Sequence, residues 1–203
     1  LENMTILGQV TSDGTNATRP TLSNVTLIAE SAGEFIIQGN FTSSDEAVPG
    51  AVELIGAVVS NTTFSGAVTV NSESAVKASS FTNVELGDDL TLNNDTVLTV
   101  TNVILDPNGT AETLTVNANA VVNLASDLEV ASAGLKLAGA GSIDGQEADR
   151  SRAITGQAVT ANTITLENMT ILGKVTSDAG GNAAQRPTLS NVTLIAESAG
   201  NFI

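Results

Sequence analysis

Short stretches in which apolar and polar residues alternate recur through most of this 203-residue chain. Three of the clearest are AVTVN at 67–71, DLTLN at 89–93 and ETLTVN at 112–117. Alternation with a period of two predicts short β-strands with one buried side and one exposed side, separated by Asn, Asp and Gly turns. The residues predicted to be buried are Val68, Val70, Val84, Leu86, Leu90, Leu92, Leu114 and Val116, and those predicted to face outward are Thr69, Thr91 and Thr115.

An asparagine that precedes an apolar residue recurs at intervals of 16 to 22 residues over the first 123 positions. Each well-preserved unit, such as 83–101, holds three alternating stretches, and eight units fill residues 1–165 if one begins near Ser142. The spacing predicts an all-β fold, a parallel β-helix (β-solenoid) with three short strands and about 21 residues per coil. The recurring asparagines are Asn3, Asn24, Asn40, Asn61, Asn83, Asn102, Asn123, Asn168 and Asn191.

A second, longer repeat contains these units. The string LENMTILG at 1–8 returns at 166–173, and RPTLSNVTLIAESAG at 19–33 returns at 186–200. We interpret 1–203 as one continuous solenoid in which 1–165 is a full repeat of about 166 residues and 166–203 begins the next. Eight coils per repeat would span about 38 Å, since adjacent β-strands lie about 4.8 Å apart. Because the chain begins and ends inside a repeat, we expect the natural protein to extend beyond both ends.

The recurring asparagines allow two interpretations. An Asn just before a strand can stack on the Asn of the next coil and join the coils through its side-chain amide, which favours a structural ladder. Several of them also form N-x-T sites for N-glycosylation. Since a ladder amide is committed to its neighbours, the better candidates for glycosylation are the turn residues Asn16, Asn94 and Asn108.

Composition narrows the possible partners. The formal net charge is −15, from 22 acidic and 7 basic residues, which argues against nucleic acid because phosphate neutralisation needs clustered Lys and Arg. A mean hydropathy of +0.19, with no apolar run long enough to span a bilayer, predicts no membrane insertion by this segment. The chain has no cysteine and no histidine, which excludes disulfides, thiolate metal sites and the commonest general base.

Carboxylates are the remaining groups that could bind a metal or act in catalysis. Asp88, Asp89 and Asp95 flank one predicted coil and are weak candidates for a Ca²⁺ site, and no other cofactor is predicted. We predict no catalytic residues and no enzyme activity, since no opposed carboxylate pair and no aromatic platform for sugars can be identified. Residues 35–59 and 134–155 interrupt the alternation and are predicted to form loops.

Outward threonines form two predicted ranks. One contains Thr69, Thr91 and Thr115, and flat ranks of this kind occur in ice-binding solenoids. The other contains Thr5, Thr26, Thr42 and Thr63, and the next two coils interrupt it with Glu85 and Ile104. Outward threonine is also simply a favourable strand residue, which is the interpretation we prefer.

The strings LENMTILG, LSNVTLIAES and FTNVELG resemble coils in the β-helical regions of bacterial surface proteins, such as filamentous-haemagglutinin-like adhesins and polymorphic autotransporters. The chain lacks the repeated GGAI-type motif of the polymorphic proteins, and its long repeats look more like a giant adhesin or fibre-forming protein. The resemblance implies a right-handed solenoid at the cell surface, outside the cell. It further implies a non-catalytic shaft that contacts neighbouring repeats, or other copies in a filament. The alternatives are an adhesive segment that binds a cell-surface or glycan ligand, and a polysaccharide-active β-helix enzyme.

Overall fold

The strands of this chain pair only in parallel in the computed structural model, which describes residues 1–8, 10–12, 19–28, 31–43, 47–71, 78–105, 112–131, 134–177, 182–195 and 198–203. This part of the chain contains a 3₁₀ helix at Ala183–Gln185 and nineteen strands. The strands are β1 Glu2–Leu7, β2 Val10–Thr11, β3 Thr21–Ile28, β4 Ser31–Ala32, β5 Phe35–Ser43, β6 Val52–Phe64, β7 Val68–Asn71, β8 Ser79–Leu86, β9 Leu90–Leu92, β10 Val97–Leu105, β11 Glu112–Val116, β12 Val121–Leu124, β13 Leu128–Val130, β14 Leu135–Ala138, β15 Ser142–Asp144, β16 Ala153–Ala161, β17 Thr165–Thr176, β18 Thr188–Ile195 and β19 Ser198–Ala199.

From β6 to β18, each coil contributes strand segments to three stacks that run along the solenoid, while β2 and β4 pair with each other in a separate two-stranded sheet. Stack 1 contains the beginnings of β1, β3, β5 and β6, then β7, β9, β11, β14, the ends of β16 and β17, and β19. Stack 2 contains the ends of β1, β3 and β5, the middle of β6, the beginnings of β8 and β10, then β12, β15 and the beginnings of β17 and β18. Stack 3 contains the ends of β6, β8 and β10, then β13, the beginning of β16, the middle of β17 and the end of β18. The predicted all-β parallel solenoid with three strand segments per coil is confirmed.

The core is a narrow column of aliphatic side chains inside the stacks. All eight residues predicted to face inward are at most 3% exposed, and one cluster of buried side chains runs from Leu22 to Val175. Phenylalanines fill the wider positions: Phe41 and Phe81 lie in one column with Val59 between them, and the rings of Phe64 and Phe81 are 6.4 Å apart. At these eight positions, alternation in the sequence correctly predicted which residues are buried.

Residues 35–59 were predicted to form a loop, and this prediction is wrong for residues 35–43 and 52–59. Residues 35–43 form β5 and residues 52–59 form the first part of β6, and the two strands pair in parallel with one register shift between Gln38 and Gly39. Gly39 and Gly56 have φ of +61° and +57°, so the chain turns a corner there within a single residue. The predicted loop at 134–155 is shorter than expected, because β14 and β15 are regular strands and the excursion lies between Asp144 and Ala153.

Along stack 2, eight coil steps lead from β1 to β17, the strands that contain the first and the second copy of LENMTILG. The strands that follow one another from β1 to β17 are β1, β3, β5, β6, β8, β10, β12, β15 and β17. The core also continues across the junction at residue 166, where Leu166 and Ile171 are fully buried. Within the described residues, no helix has the length and apolar character needed to cross a bilayer.

Candidate functional site

Asparagine side chains join successive coils at two different corners of the solenoid. At the corner between stacks 1 and 2, Asn24 Nδ2 donates to Asn3 Oδ1 at 3.0 Å. At the corner between stacks 2 and 3, Asn83 Nδ2 donates to Asn61 Oδ1 at 2.9 Å and Asn102 Nδ2 donates to Asn83 Oδ1 at 3.1 Å. The sequence predicted one ladder, whereas the described residues form one segment at the first corner and another at the second.

The second corner continues into the second long repeat. Asn168 Nδ2 donates to Asp144 Oδ1 at 3.0 Å, and Asn191 Nδ2 donates to Asn168 Oδ1 at 2.9 Å. The ladder steps between paired asparagines are 19 to 23 residues long, which matches the predicted coil length.

The backbone at these corners explains why asparagine occupies them. A left-handed turn of a single residue lets one strand end and the next begin at an angle, and Asn tolerates this conformation better than other residues with a Cβ. The amide then remains outside the coil, where it can bond to the coils on both sides. The asparagines with φ between +48° and +55° are Asn3, Asn24, Asn61, Asn83, Asn102, Asn168 and Asn191.

Two predicted ladder residues lie elsewhere. Asn123 lies within β12, opposite Thr99 and Asp144. Ser126 lies at the corner of that coil, where its Oγ accepts a hydrogen bond from the Asn102 backbone N–H at 2.6 Å. Asn40 takes part only through its backbone amide, which donates to Asn24 Oδ1 at 3.0 Å, because Gly39 makes the left-handed turn. Since a hydroxyl or a glycine can fill a corner, the asparagine spacing alone does not identify every corner.

A further asparagine ladder on stack 1 was not predicted. Asn93 Nδ2 donates to Asn71 Oδ1, and Asn117 Nδ2 donates to Asn93 Oδ1 at 3.4 Å. The row continues from Asn71 to Glu53, whose carboxylate also lies 3.5 Å from Arg19. The signal was visible in the sequence, since VTVN, LTLN and LTVN each end in the same residue.

The predicted calcium ligands separate in the structure. Asp88 and Asp89 lie with Glu112, and one carboxylate oxygen from each falls within 4.8 Å of the others. Asp95 belongs to another turn, where Asn119 Nδ2 donates to its Oδ1 at 3.0 Å. Asp88 and Asp89 each accept a backbone hydrogen bond, so part of their acceptor capacity is already used, whereas Ca²⁺ takes six to eight oxygen ligands. Calcium binding therefore stays an untested prediction.

Hydroxyl groups form two straight outward columns. Thr69, Thr91 and Thr115 pair in register on stack 1. The predicted second rank is only partly correct. Thr63 does not belong to it, because this residue pairs with Glu85 on stack 3. The column on stack 2 instead contains Thr5, Thr26, Thr42, Ser60, Thr82 and Thr101.

A polar cleft of about 540 Å³ lies beside stack 3, where the excursion between Asp144 and Ala153 leaves the coil. It contains Asp127 and Glu129 on one coil and Arg152 on the next, so both signs of charge meet there. Asp127 is partly committed, since its Oδ1 accepts from the Ala153 amide at 2.9 Å. The cleft is lined by Asn102, Val103, Ile104, Ser126, Asp127, Glu129, Ser151, Arg152 and Thr155.

Of the predicted glycosylation sites, Asn94 is exposed in the turn between β9 and β10. Asn16 and Asn108 lie outside the described residues. Glycosylation stays a prediction, and the intact mass of protein from a glycosylating host would test it.

Removal of one ladder side chain should destabilise the solenoid measurably. Asn83→Ala removes two inter-coil hydrogen bonds and places an alanine at φ +55°. We expect the free energy of unfolding to fall by about 1–3 kcal/mol, measured by urea denaturation. Asn83→Gly keeps the left-handed turn and should lose less, whereas Asn123→Ala, at a strand position, should change stability by about 0.5 kcal/mol or less. Equal losses for Asn83→Ala and Asn123→Ala would contradict the importance of the corner.

No family model matches the chain, and no curated protein or solved structure matches it either.

Proposed function

We propose that this chain is a shaft segment of a long extracellular filament or giant adhesin, a non-catalytic structural element that acts by its length and stiffness. The observation that carries the proposal is the continuity of the solenoid through the junction between long repeats. β17, which contains the second LENMTILG, pairs with β15 and β16 of the first repeat and with β18 of the second. A core that does not end at the repeat boundary can be lengthened by adding repeats, because each coil contacts only its neighbours.

The bonding pattern favours stiffness. Parallel strand pairing joins neighbouring coils, and asparagine amides add side-chain bonds at several of the corners. Bending such a rod would open hydrogen bonds on its convex side whatever the direction of bending. The net charge of −15 on each 203-residue length would keep neighbouring shafts apart at low ionic strength.

The proposal predicts that length grows linearly with repeat number. Chains carrying one, two and three long repeats should form rods that differ by about 40 Å per repeat, from slightly more than eight coils at about 4.8 Å each. Small-angle scattering and negative-stain electron microscopy would measure these lengths. A particle whose maximum dimension does not grow with repeat number would contradict the shaft.

The extracellular location needs a separate test. Electron microscopy of the source cells, with antibody against this chain, should place label along thin surface filaments. Label confined to the interior of the cells would refute an extracellular shaft.

The polar cleft beside stack 3 favours a second candidate, an adhesive segment that binds a ligand. Its carboxylates and Arg152 offer hydrogen bonds to a neutral or zwitterionic glycan or peptide. A glycan array would test this, with Arg152→Ala as the control that should lose binding. Asp127 and Glu129 also make this the place to look for the polysaccharide-active alternative, which release of reducing ends from a glycan would support.

A further inference from the structure

The two copies of LENMTILG lie on different stacks. In the first copy, Glu2 pairs with Ser23 on stack 1, and Met4 to Leu7 pair on stack 2. In the second copy, Glu167 pairs with Asp144 on stack 2, and Met169 to Leu172 lie on stack 3. The identical string has therefore moved by one stack around the solenoid between its two occurrences.

Tracing the outward rows across every coil supports this displacement. The row that contains Glu2 continues through Ser23, Gln38, Ile55 and Asn71. The row that contains Glu167 leads back through Asp144, Asn123, Thr99, Ser80, Val58 and Asn40. The two rows lie on opposite sides of the corner at Gly39 and Gly56, so they do not merge at any of these positions.

The displacement arises in β6. This strand passes through all three stacks, and it turns corners at Gly56 and at Asn61, which both have positive φ. The first corner continues the line of Asn24 and Gly39, whereas Asn61 begins the ladder at the next corner. The asparagine pattern thus passes from one corner to the next at this coil, while the coils themselves stack without interruption.

From this register we infer that one long repeat comprises eight coils plus one third of a coil. Each repeat is therefore rotated by a third of a turn about the solenoid axis relative to the one before it. Three repeats, or twenty-five coils, would restore the orientation over about 120 Å at a coil spacing of about 4.8 Å. In the array proposed above, any feature that occurs once per repeat, such as the cleft beside stack 3, would face three sides in succession. This consequence rests on the proposed shaft, whereas the rotation itself does not.

The core tolerates the displacement because all three stacks require the same pattern of buried aliphatic and outward polar side chains. Leu22 lies in the column of Ile37 and Leu54, and its counterpart Leu189 lies in the column of Leu166 and Ile143. Both columns require an aliphatic side chain at alternate positions and an outward polar neighbour. If every repeat presented its binding surface on the same side of the shaft, only partners on that side could bind. Because successive repeats are rotated by a third of a turn, the array would present this surface on all three sides.

Disulfide mapping on the chain itself would test the register, since the chain has no native cysteine. The register predicts disulfides in Asn40→Cys/Val58→Cys and in Asp144→Cys/Glu167→Cys, because both pairs are strand partners with outward side chains. An in-phase repeat would instead bring Asn40 opposite Asn61 and Glu167 opposite Ala140. In the described register these alternative pairs are about 10 Å or more apart along the strands, beyond the reach of a disulfide. Each double variant would be oxidised mildly and its linked peptides identified by mass spectrometry.

The expected result is nearly complete oxidation of the first two pairs and no linkage in Asn40→Cys/Asn61→Cys or Ala140→Cys/Glu167→Cys. Linkage in either of the latter pairs would overturn the rotation, whatever the filament measurements show. If Asp144→Cys disturbs its bond to Asn168, the strand partners Thr155→Cys/Leu172→Cys on stack 3 provide an independent test of the same junction. Failure of that pair to link in folded protein would also overturn the rotation.

Discussion

Replacement of Met169 by alanine is expected to lower the free energy of unfolding by about 2–5 kcal/mol. Met169 is 0% exposed and belongs to the buried core cluster. Its loss would leave a cavity inside closely stacked coils, which can collapse only partly because each coil is hydrogen-bonded on both sides. Urea denaturation followed by circular dichroism would measure the change.

Met4→Ala is the matched control within the same chain. Met4 stands in the same octapeptide, LENMTILG, but its side chain is 42% exposed because no described coil covers it. Its truncation should cost about 1 kcal/mol or less, since little apolar surface is returned to water. Equal losses for the two variants would mean that stacking of the preceding coil does not set the burial of this string.

The regular coils could be predicted because their information is local. Alternation placed Val84 and Leu86 in the core and Thr69 outside it, and both placements are confirmed. A strand with one buried side carries this pattern in its own residues, so a few positions suffice to identify it. The coil period followed from repetition of the same local pattern.

The identity of each corner could not be predicted because it depends on the whole path of the preceding coils. Asn24 and Asn61 have nearly the same φ, and each lies at a bend within its strand, yet they lie at different corners. The left-handed turn requires the same backbone conformation at every corner, so the sequence around an asparagine does not show which corner it occupies. Gly39 and Gly56 turn the chain at two corners that contain no asparagine, so the asparagine spacing did not predict these corners.

The coil period could have improved the prediction of the acidic cluster formed by Asp88, Asp89 and Glu112. Glu112 joins Asp88 and Asp89 because β11 stacks on β9, which places Glu112, the first residue of β11, beside the turn before β9. A search for acids one coil apart would have included Glu112, whereas proximity along the chain favoured Asp95. In a solenoid, residues about one coil apart are better candidates for contact than residues a few positions apart.

Gly139→Ala is the second substitution expected to have a large effect, a loss of about 2–5 kcal/mol from overpacking and backbone strain together. Gly139 has φ +102°, and an added Cβ would lie 2.0 Å from the carbonyl oxygen of Val116 on the preceding coil. That oxygen cannot move away easily, because it accepts a hydrogen bond from the Gly141 amide at 2.9 Å. The coils would have to separate at this point, which would weaken the strand pairing on both sides of the turn. Thermal and urea denaturation would measure the loss.

Gly8→Ala separates the two causes. Gly8 has nearly the same φ, +107°, but an added Cβ would have no atom within 4 Å. Only the backbone strain of about 1–3 kcal/mol should remain, and less will be observed if the first coil opens locally before the rest. If Gly8→Ala destabilised the protein as much as Gly139→Ala, the close approach between coils would contribute nothing. A larger loss at Gly139 would show that contact between coils limits which side chains the turns accept.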